Sequence, residues 1–565
     1  MRFDLSHIPW KNWRPKLVEC LAAYSKHAFF SDLISGLTVG LVALPLAMAF
    51  GIASGVTPQA GIYTAIIGGF LVSLLGGSRI QIGGPTGAFV VIVAGIIAVH
   101  GLSGLLMVTM MAGVILLILA FTGLGNAIKY IPRPIVIGFT NGIALLIAIT
   151  QFKDFLGLKF DKEPTEFFAR MSNLAANLAS TDWPTVALGA GSLAVILLTP
   201  RLFPRVPGSI VALVVGTGAV VLLGLPVATI GSKFGGIPGG LPSIHIPEFR
   251  PDLILPLLPS AMTVAILAAV ESLLSAVVAD GLIGDRHNSS AELMAQGVAN
   301  IVAPLVGGIP VTGAIARTAT NFRSGGRTPV AGIVHALTLL SVILLLSPLA
   351  KFIPLATLAA VLFVVAYNMG EWAEIPEILR LTAADISVWL ITFLLTVLAD
   401  LTVAVEVGMA LAALLYILRI SQTTTVSVVT PDYIEAGHVH SLQGKRVPDY
   451  VTILRIHGPF LFGTTDKLAE QTADLSHFAP IVILRLRNMT AIDATGLHAL
   501  ENLSDRLEKS GRKLILCGAR HQPHQFFKKA EFVRHIGKDN IQPHVEAALR
   551  RAVRMHASAP DAVTS

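Results

Sequence analysis

RIQIGGPTGAFVVIV, residues 79–93, passes from a β-like, glycine-proline lead-in straight into an apolar helical run. The same construction returns in GGIPVTGAIARTA, residues 307–319. Each stretch predicts a helix that starts inside apolar surroundings instead of at a polar loop. Pro85 and Pro310 lie 225 residues apart, and Pro45, which interrupts the first apolar run, lies 226 residues before Glu271. A single offset therefore registers both pairs. The chain reads as a seven-plus-seven repeat, and halves with an odd number of spans must be inverted relative to each other. Interrupted segments in matching positions of two halves point to the working centre of a membrane carrier.

Composition places these stretches in a bilayer. The chain of 565 residues is 53% hydrophobic and 13% charged, against roughly 25% charged in an ordinary soluble chain. Its mean hydropathy is +0.72. Of 75 charged residues, 32 fall in the last 145, so a membrane domain comes first and a soluble one last. Between residues 33 and 418 there are fourteen apolar runs of roughly spanning length, two of them short. An even number puts both ends on one side. With the N-terminus in the cytoplasm, Arg79, Lys129, Arg201, Arg286, Arg327 and Arg419 all fall on cytoplasmic turns. The loop at 153–183 is the exception, with four basic residues offset by five acids. The basic, polar N-terminal stretch lacks the apolar core and cleavage site of a signal peptide, and reads as a cytoplasmic lead-in.

A half-helix beginning near the midplane leaves its first N–H groups unpaired and carries about half an elementary positive charge. Two such starts facing each other would focus that field on one spot and favour an anion. The groups expected there are Thr86, Gly87 and Ala88 on one side and Gly313, Ala314 and Ile315 on the other. Arg317, one turn into the second half-helix, adds a full charge. Glu271, in AILAAVESLLSAVVADG (265–281), is the acid of the same apolar region. A charge at membrane depth survives mainly where it lines a polar cavity or is paired. Burial and Arg317 act on its protonation in opposite directions, so three roles stay open: a proton site, a sodium site shared with Ser275 four residues on, or neutralisation of Arg317.

These residues carry a family resemblance. SDLISGLTVGLVALPLAMAFGIASGVTPQAGIYTA (31–65), SRIQIGGPTGAF (78–89), IPRPIVIGFTNGIAL (131–145), ESLLSAVVADG (271–281) and RTPVAGIVHA (327–336) resemble the SulP sulfate permease family, most closely its bacterial C4-dicarboxylate members. The resemblance implies a homodimer in an inner membrane, each protomer with a core (helices 1–4 and 8–11) and a gate (helices 5–7 and 12–14). It implies an anion of the sulfate, dicarboxylate or bicarbonate class, moved by an elevator-like shift. By the same resemblance Phe50, Thr86, Gly313, Ala314 and Arg317 contact the anion and Glu271 is the coupling position. Sodium-coupled bicarbonate members carry Asp followed by a hydroxyl residue where this chain has Glu271, which favours H+ over Na+. Ala314 and Ala316 replace serines of some animal relatives.

The soluble part resembles a STAS domain, with strands expected at 450–456, 481–487 and 513–518 alternating with helices near 464–476, 495–509, 521–531 and 541–555. In AIDATGL, Ala494 stands where anti-sigma-factor antagonists carry a phosphorylatable serine, and Thr495 is read as a helix N-cap. His335 is read as a hydrogen-bonded packing residue, and His438 and His440 as part of a polar linker.

The domains expected are a lead-in at 1–30, a transport domain at 31–420, a linker at 421–445, a STAS domain at 446–556 and a disordered tail at 557–565. Cys20 and Cys517 form no ligand-like spacing. Basic residues are interleaved with acids, so no nucleic-acid partner is expected. No nucleophile-base pair or phosphate loop suggests an enzyme, and no cofactor is implied. The expected partners are the anion, a coupling ion, the lipid bilayer, a second copy and a cytosolic ligand of the STAS domain.

Overall fold

The computed structural model describes residues 13–558 apart from 23, 124–131, 160–165, 204–205, 238, 241–243, 245–249, 400 and 430–446. The chain divides into two compact units, residues 1–410 and 411–565. The expected His438–His440 pair and the tail from 559 on lie outside the described residues.

Among the described residues, the segments that correspond to the fourteen expected apolar runs are α1 (Lys26–Ala53), α2 (Pro58–Leu75), α3 (88–100), α4 (102–122), α5 (Arg133–Leu156), α6 (Trp183–Leu202), α7 (Gly208–Leu223), α8 (Ile254–Ile283), α9 (Ser289–Val302), α10 (Ile315–Arg323), α11 (Val330–Ala350), α12 (Leu355–Met369), α13 (Ala383–Leu398) and α14 (Leu401–Thr423). The last of these carries the chain across the division. By length and composition, eight helices among the described residues can cross a membrane, α3 and α4 counting as one.

Sequence punctuates these elements. Ser25 caps α1 by accepting the Ala28 N–H at 3.1 Å. Gly101, at φ 66°, separates α3 from α4, a backbone conformation that glycine adopts without steric cost. The short helix Phe167–Asn177 lies in the loop expected at 153–183.

Two packed groups of helices result. In the core, α1 lies against α11, and α3 and α4 against α8 and α9. Small residues permit this: a β-carbon at Gly113 would stand 2.7 Å from the Gly297 carbonyl, and one at Gly297 2.9 Å from the Gly113 carbonyl. Close helix approach through small residues supplies the dispersion contact that replaces hydrophobic driving force in lipid. In the gate, α5 packs on α12 and α13, and α6 on α7. The two halves form a seven-plus-seven inverted repeat, with α3 and α10 as the two half-helices. Their first residues, Ala88 and Ile315, are 227 apart, so the spacing of Pro85 and Pro310 is two residues out of the structural register.

The second unit is a five-stranded sheet in the order β3 (Thr425–Val429), β4 (Val451–Phe460), β5 (Ile481–Ile492), β6 (Lys513–Cys517), β7 (Ile541–Gln542). β3 is antiparallel to β4 and the others are parallel. Its helices are α15 (Asp466–Gln471), α16 (Ala494–Lys509), α17 (His521–Lys529), α18 (Phe532–Ile536) and α19 (Val545–Ala557). Thr425–Val429, expected in the linker, is an edge strand, because its run of threonine and valine fits a half-buried pleat. The N-cap of α16 is Asp493, not Thr495: its side chain accepts the Gly496 N–H at 2.8 Å.

Candidate functional site

Gly83–Gly84 (β1) and Thr312–Gly313 (β2) pair antiparallel, Gly83 opposite Gly313 and Gly84 opposite Thr312. Each is followed within four residues by a half-helix, so the N-termini of α3 and α10 are brought to one place by two short strands. Two sets of first-turn N–H groups with their partial positive charge thus meet at the centre of the core.

Arg317 binds the two halves together. It is 4% exposed; its Nη2 donates to the Pro85 carbonyl at 2.6 Å and its Nη1 to the Gly83 carbonyl at 3.5 Å. The room for it comes from Gly84, at φ 141°, where a β-carbon would stand 2.6 Å from Nη1.

Helix α8 addresses both halves with consecutive residues. Glu271 Oε2 accepts the Thr86 hydroxyl at 2.9 Å. Ser272 Oγ lies 2.9 Å from Thr312 Oγ1 and accepts the Gly313 N–H at 2.9 Å. Ser275, which the sodium alternative would have share an ion with Glu271, pairs with Thr318 Oγ1 at 3.2 Å. Glu271 and Arg317 engage different partners, and among the described residues no ion pair joins them. Neutralisation of Arg317 by direct contact is therefore not what this arrangement displays.

Openness singles out part of this set. Thr86 and Glu271 are half-buried and Ile315 and Ala316 exposed, whereas Gly87, Ala88, Gly313, Ala314 and Arg317 are buried. The N–H groups of Gly313 and Ala314 are already used, the first by Ser272 and the second by the Ile82 carbonyl at 2.8 Å. Neither N–H is therefore an open donor, one being taken by a side chain of α8 and the other by the strand segment before β1. Phe50 closes the space before Gly87: a β-carbon there would lie 3.4 Å from Phe50 Cε1, 3.3 Å from Ile147 Cδ1 and 3.2 Å from Met369 Sδ. The last two come from gate helices α5 and α12.

The sequence reading missed three supporting residues. Asp32, fully buried on α1, accepts the Arg327 N–H at 2.8 Å and the Thr328 hydroxyl at 2.5 Å. Asn321 accepts the Ser35 hydroxyl at 2.6 Å and donates to the Ile80 carbonyl at 2.8 Å. Ser272 was hidden beside a conspicuous acid. His335 is fully buried, but neither ring nitrogen has a well-formed hydrogen-bond partner, so the expected hydrogen-bonded packing role holds only as packing.

The profile of the Sulfate permease family matches residues 29–392, and that of the STAS domain residues 444–548. The chain belongs to the sulfate permease family. It is 40% identical to "Putative sulfate transporter YvdB" of Bacillus subtilis (strain 168), over 92% of this chain and 97% of that one. It is 31% identical to bicarbonate transporter BicA of Picosynechococcus sp., over 92% of this chain and 94% of the relative. The solved structure of SLC26A9 has a TM-score of 0.84 over 96% of this chain and 92% of that one, at 19% identity, a likeness of fold alone. This sulfate permease family member is thus a multi-pass membrane anion transporter with a STAS domain, and not an enzyme.

Proposed function

We propose that this protein is a secondary active transporter of a small anion across an inner membrane, coupled to protons, with both termini in the cytoplasm. The observation that carries this reading is the head-to-head arrangement of α3 and α10 beside Arg317, with the half-buried Thr86–Glu271 pair on its open face. Two helix starts and an arginine favour an anion. A pure anion pore gains nothing from an acid there, whereas a carrier uses it to bind a proton. In this reading Thr86, Gly87, Ala88 and the start of α10 contact the anion, Arg317 supplies the charge and holds both halves, and Glu271 takes the proton.

The separation of core and gate supports an elevator-like shift in which the core carries the site past α5 and α12. Homodimerisation and a cytosolic ligand of the STAS domain belong to the same proposal. Sulfate, a C4-dicarboxylate and bicarbonate are the candidate anions. The BicA relatives, named as bicarbonate transporters, favour bicarbonate as a second substrate reading. Sodium is disfavoured because Ser275 is paired with Thr318.

The test is uptake of labelled succinate, sulfate and bicarbonate by vesicles containing the purified protein, under imposed proton or sodium gradients. Uphill uptake driven by the proton gradient and lost in Glu271→Gln is the expected result. Downhill flux indifferent to both gradients would show an uncoupled exchanger or channel.

A further inference from the structure

We infer that the Thr86 hydroxyl is the switch through which proton and anion binding are coupled: its single proton serves Glu271 while that acid is ionised, and the anion once the acid is protonated. The inference rests on the reading of Glu271 as the proton site.

A hydroxyl donates one hydrogen bond and accepts two, and an ionised carboxylate only accepts. At 2.9 Å from Glu271 Oε2, the Thr86 proton is therefore committed to the acid as long as the acid is charged. A proton arriving from water at the open face adds to a Glu271 oxygen, which then becomes a donor to Thr86 Oγ1. Rotation about the Cβ–Oγ bond turns the Thr86 hydrogen away from Glu271 and toward the space before α3. The proton on Glu271 leaves by the reverse sequence, and no other bond is made or broken.

The surroundings leave this task to Thr86. Ser272 and Thr312 pair with each other, and Ser275 pairs with Thr318. Arg317 is committed to the Pro85 and Gly83 carbonyls. Thr86 and Glu271 are half-buried beside the buried Gly87, Ala88, Gly313 and Ala314, while Ile315 and Ala316 at the start of α10 are exposed. Arg317 on α10 is the charge that acts on Glu271; the first turns of α3, the stretch of α8 around Glu271 and the stretch of α1 around Phe50 contain no charged residue. An anion thus finds one more donor when Glu271 is protonated, and by linkage the anion strengthens proton binding equally.

The experiment measures sulfate and fumarate binding to the purified full-length protein by calorimetry between pH 5.5 and 8.0, where sulfate stays fully and fumarate predominantly dianionic. Wild type is expected to tighten about tenfold as pH falls across this range, and Thr86→Ser to follow it, since one charge-assisted hydrogen bond is worth roughly that factor. Thr86→Val is expected to bind about tenfold more weakly at pH 5.5 and to change less than about twofold with pH. Glu271→Gln, which does not titrate and whose amide N–H can donate to Thr86 Oγ1 as the protonated acid does, is expected to lose the pH dependence and hold an affinity near the wild-type pH 5.5 value. That last readout leaves Thr86 unaltered and serves even if Thr86→Val fails to fold.

A Thr86→Val protein that keeps the wild-type pH dependence would overturn the switch and leave Glu271 as the proton site. Wild-type binding independent of pH would overturn the proton reading of Glu271 and the switch with it. Failure of both probes to bind the wild type would overturn the switch for sulfate and C4-dicarboxylates and leave bicarbonate as the candidate anion.

Discussion

The Arg317 guanidinium reaches back from the second half-helix to the carbonyl of Pro85, at 2.6 Å, on the threshold of the first. Arginine here is a fastener as well as a charge. It joins the two inverted halves at the point where their helix starts meet, and its planar fork also approaches Gly83. Lysine offers a compact charge without that fork. Arg317→Lys is therefore expected to weaken sulfate or dicarboxylate binding on the order of tenfold, the worth of a charge-assisted hydrogen bond. Arg317→Ala should lose more and also unfold at lower temperature. Isothermal binding and thermal unfolding of the purified variants check both, and a lysine variant with wild-type affinity would mean that charge alone suffices.

Met369 and Ile147 set the space before Gly87, standing 3.2 Å and 3.3 Å from where its β-carbon would be. The branched isoleucine is stiff, whereas the methionine is unbranched and adapts. Shortening Met369 to alanine should widen selectivity: competition by a bulky dicarboxylate such as phthalate should improve about fivefold relative to succinate, an effect near 1 kcal/mol. Ile147→Val, which leaves most of the wall, should stay within about twofold. Equal competition profiles for wild type and Met369→Ala would remove the gate wall from the specificity of the site.

How far the sequence disclosed this arrangement follows from the kind of physics involved. The half-helices were legible because Gly-Pro lead-ins and apolar runs are local signals, and the small α/β domain because strand and helix periods alternate along 450–557. Partnership was not. Nothing local distinguishes Gly313 and Ala314, whose N–H groups are taken by Ser272 and Ile82, from the open start of α10 at Ile315. Asp32 looks like one more polar residue near a helix start until its partners Arg327 and Thr328, nearly three hundred residues on, are placed beside it. The register of the repeat follows the starts of the two half-helices, Ala88 and Ile315, which the prolines only approximate.

Cys517 gives the STAS domain a testable pH dependence. The thiol is 1% exposed on β6, and burial pushes it up to about 12 from 9.0, against a smaller opposing pull from Arg485. Between those values the unfolded chain ionises this thiol and the folded one does not. Its contribution to stability is therefore complete below pH 9 and is lost as pH rises toward 12. Cys517→Ala should show a shallower loss of stability than wild type from pH 9 to 11 in chemical unfolding followed from the STAS domain. Iodoacetamide at pH 8 should label Cys517 at least about tenfold more slowly in native than in denatured protein, because the thiolate is the reactive form.

Asp493 stands at a junction of two backbone segments. One carboxylate oxygen accepts the Gly496 N–H at 2.8 Å in the first turn of α16, and the other accepts the Phe462 N–H at 3.0 Å just beyond β4. Loss of an N-cap costs about 0.5–2 kcal/mol, and here the loop after β4 loses its anchor in the same step. Asp493→Ala should therefore speed hydrogen exchange of the first-turn amides of α16 and of Phe462 by about tenfold in the full-length protein. Asparagine, a comparably good cap, can accept from only one of the two N–H groups with its carbonyl oxygen. Asp493→Asn should thus protect Gly496 nearly as well as wild type while Phe462 exchanges faster. If the alanine variant speeds neither amide, the carboxylate does not hold this corner, and the stability of α16 comes from the apolar face that Leu497, Leu500, Leu503 and Leu507 bury against the sheet.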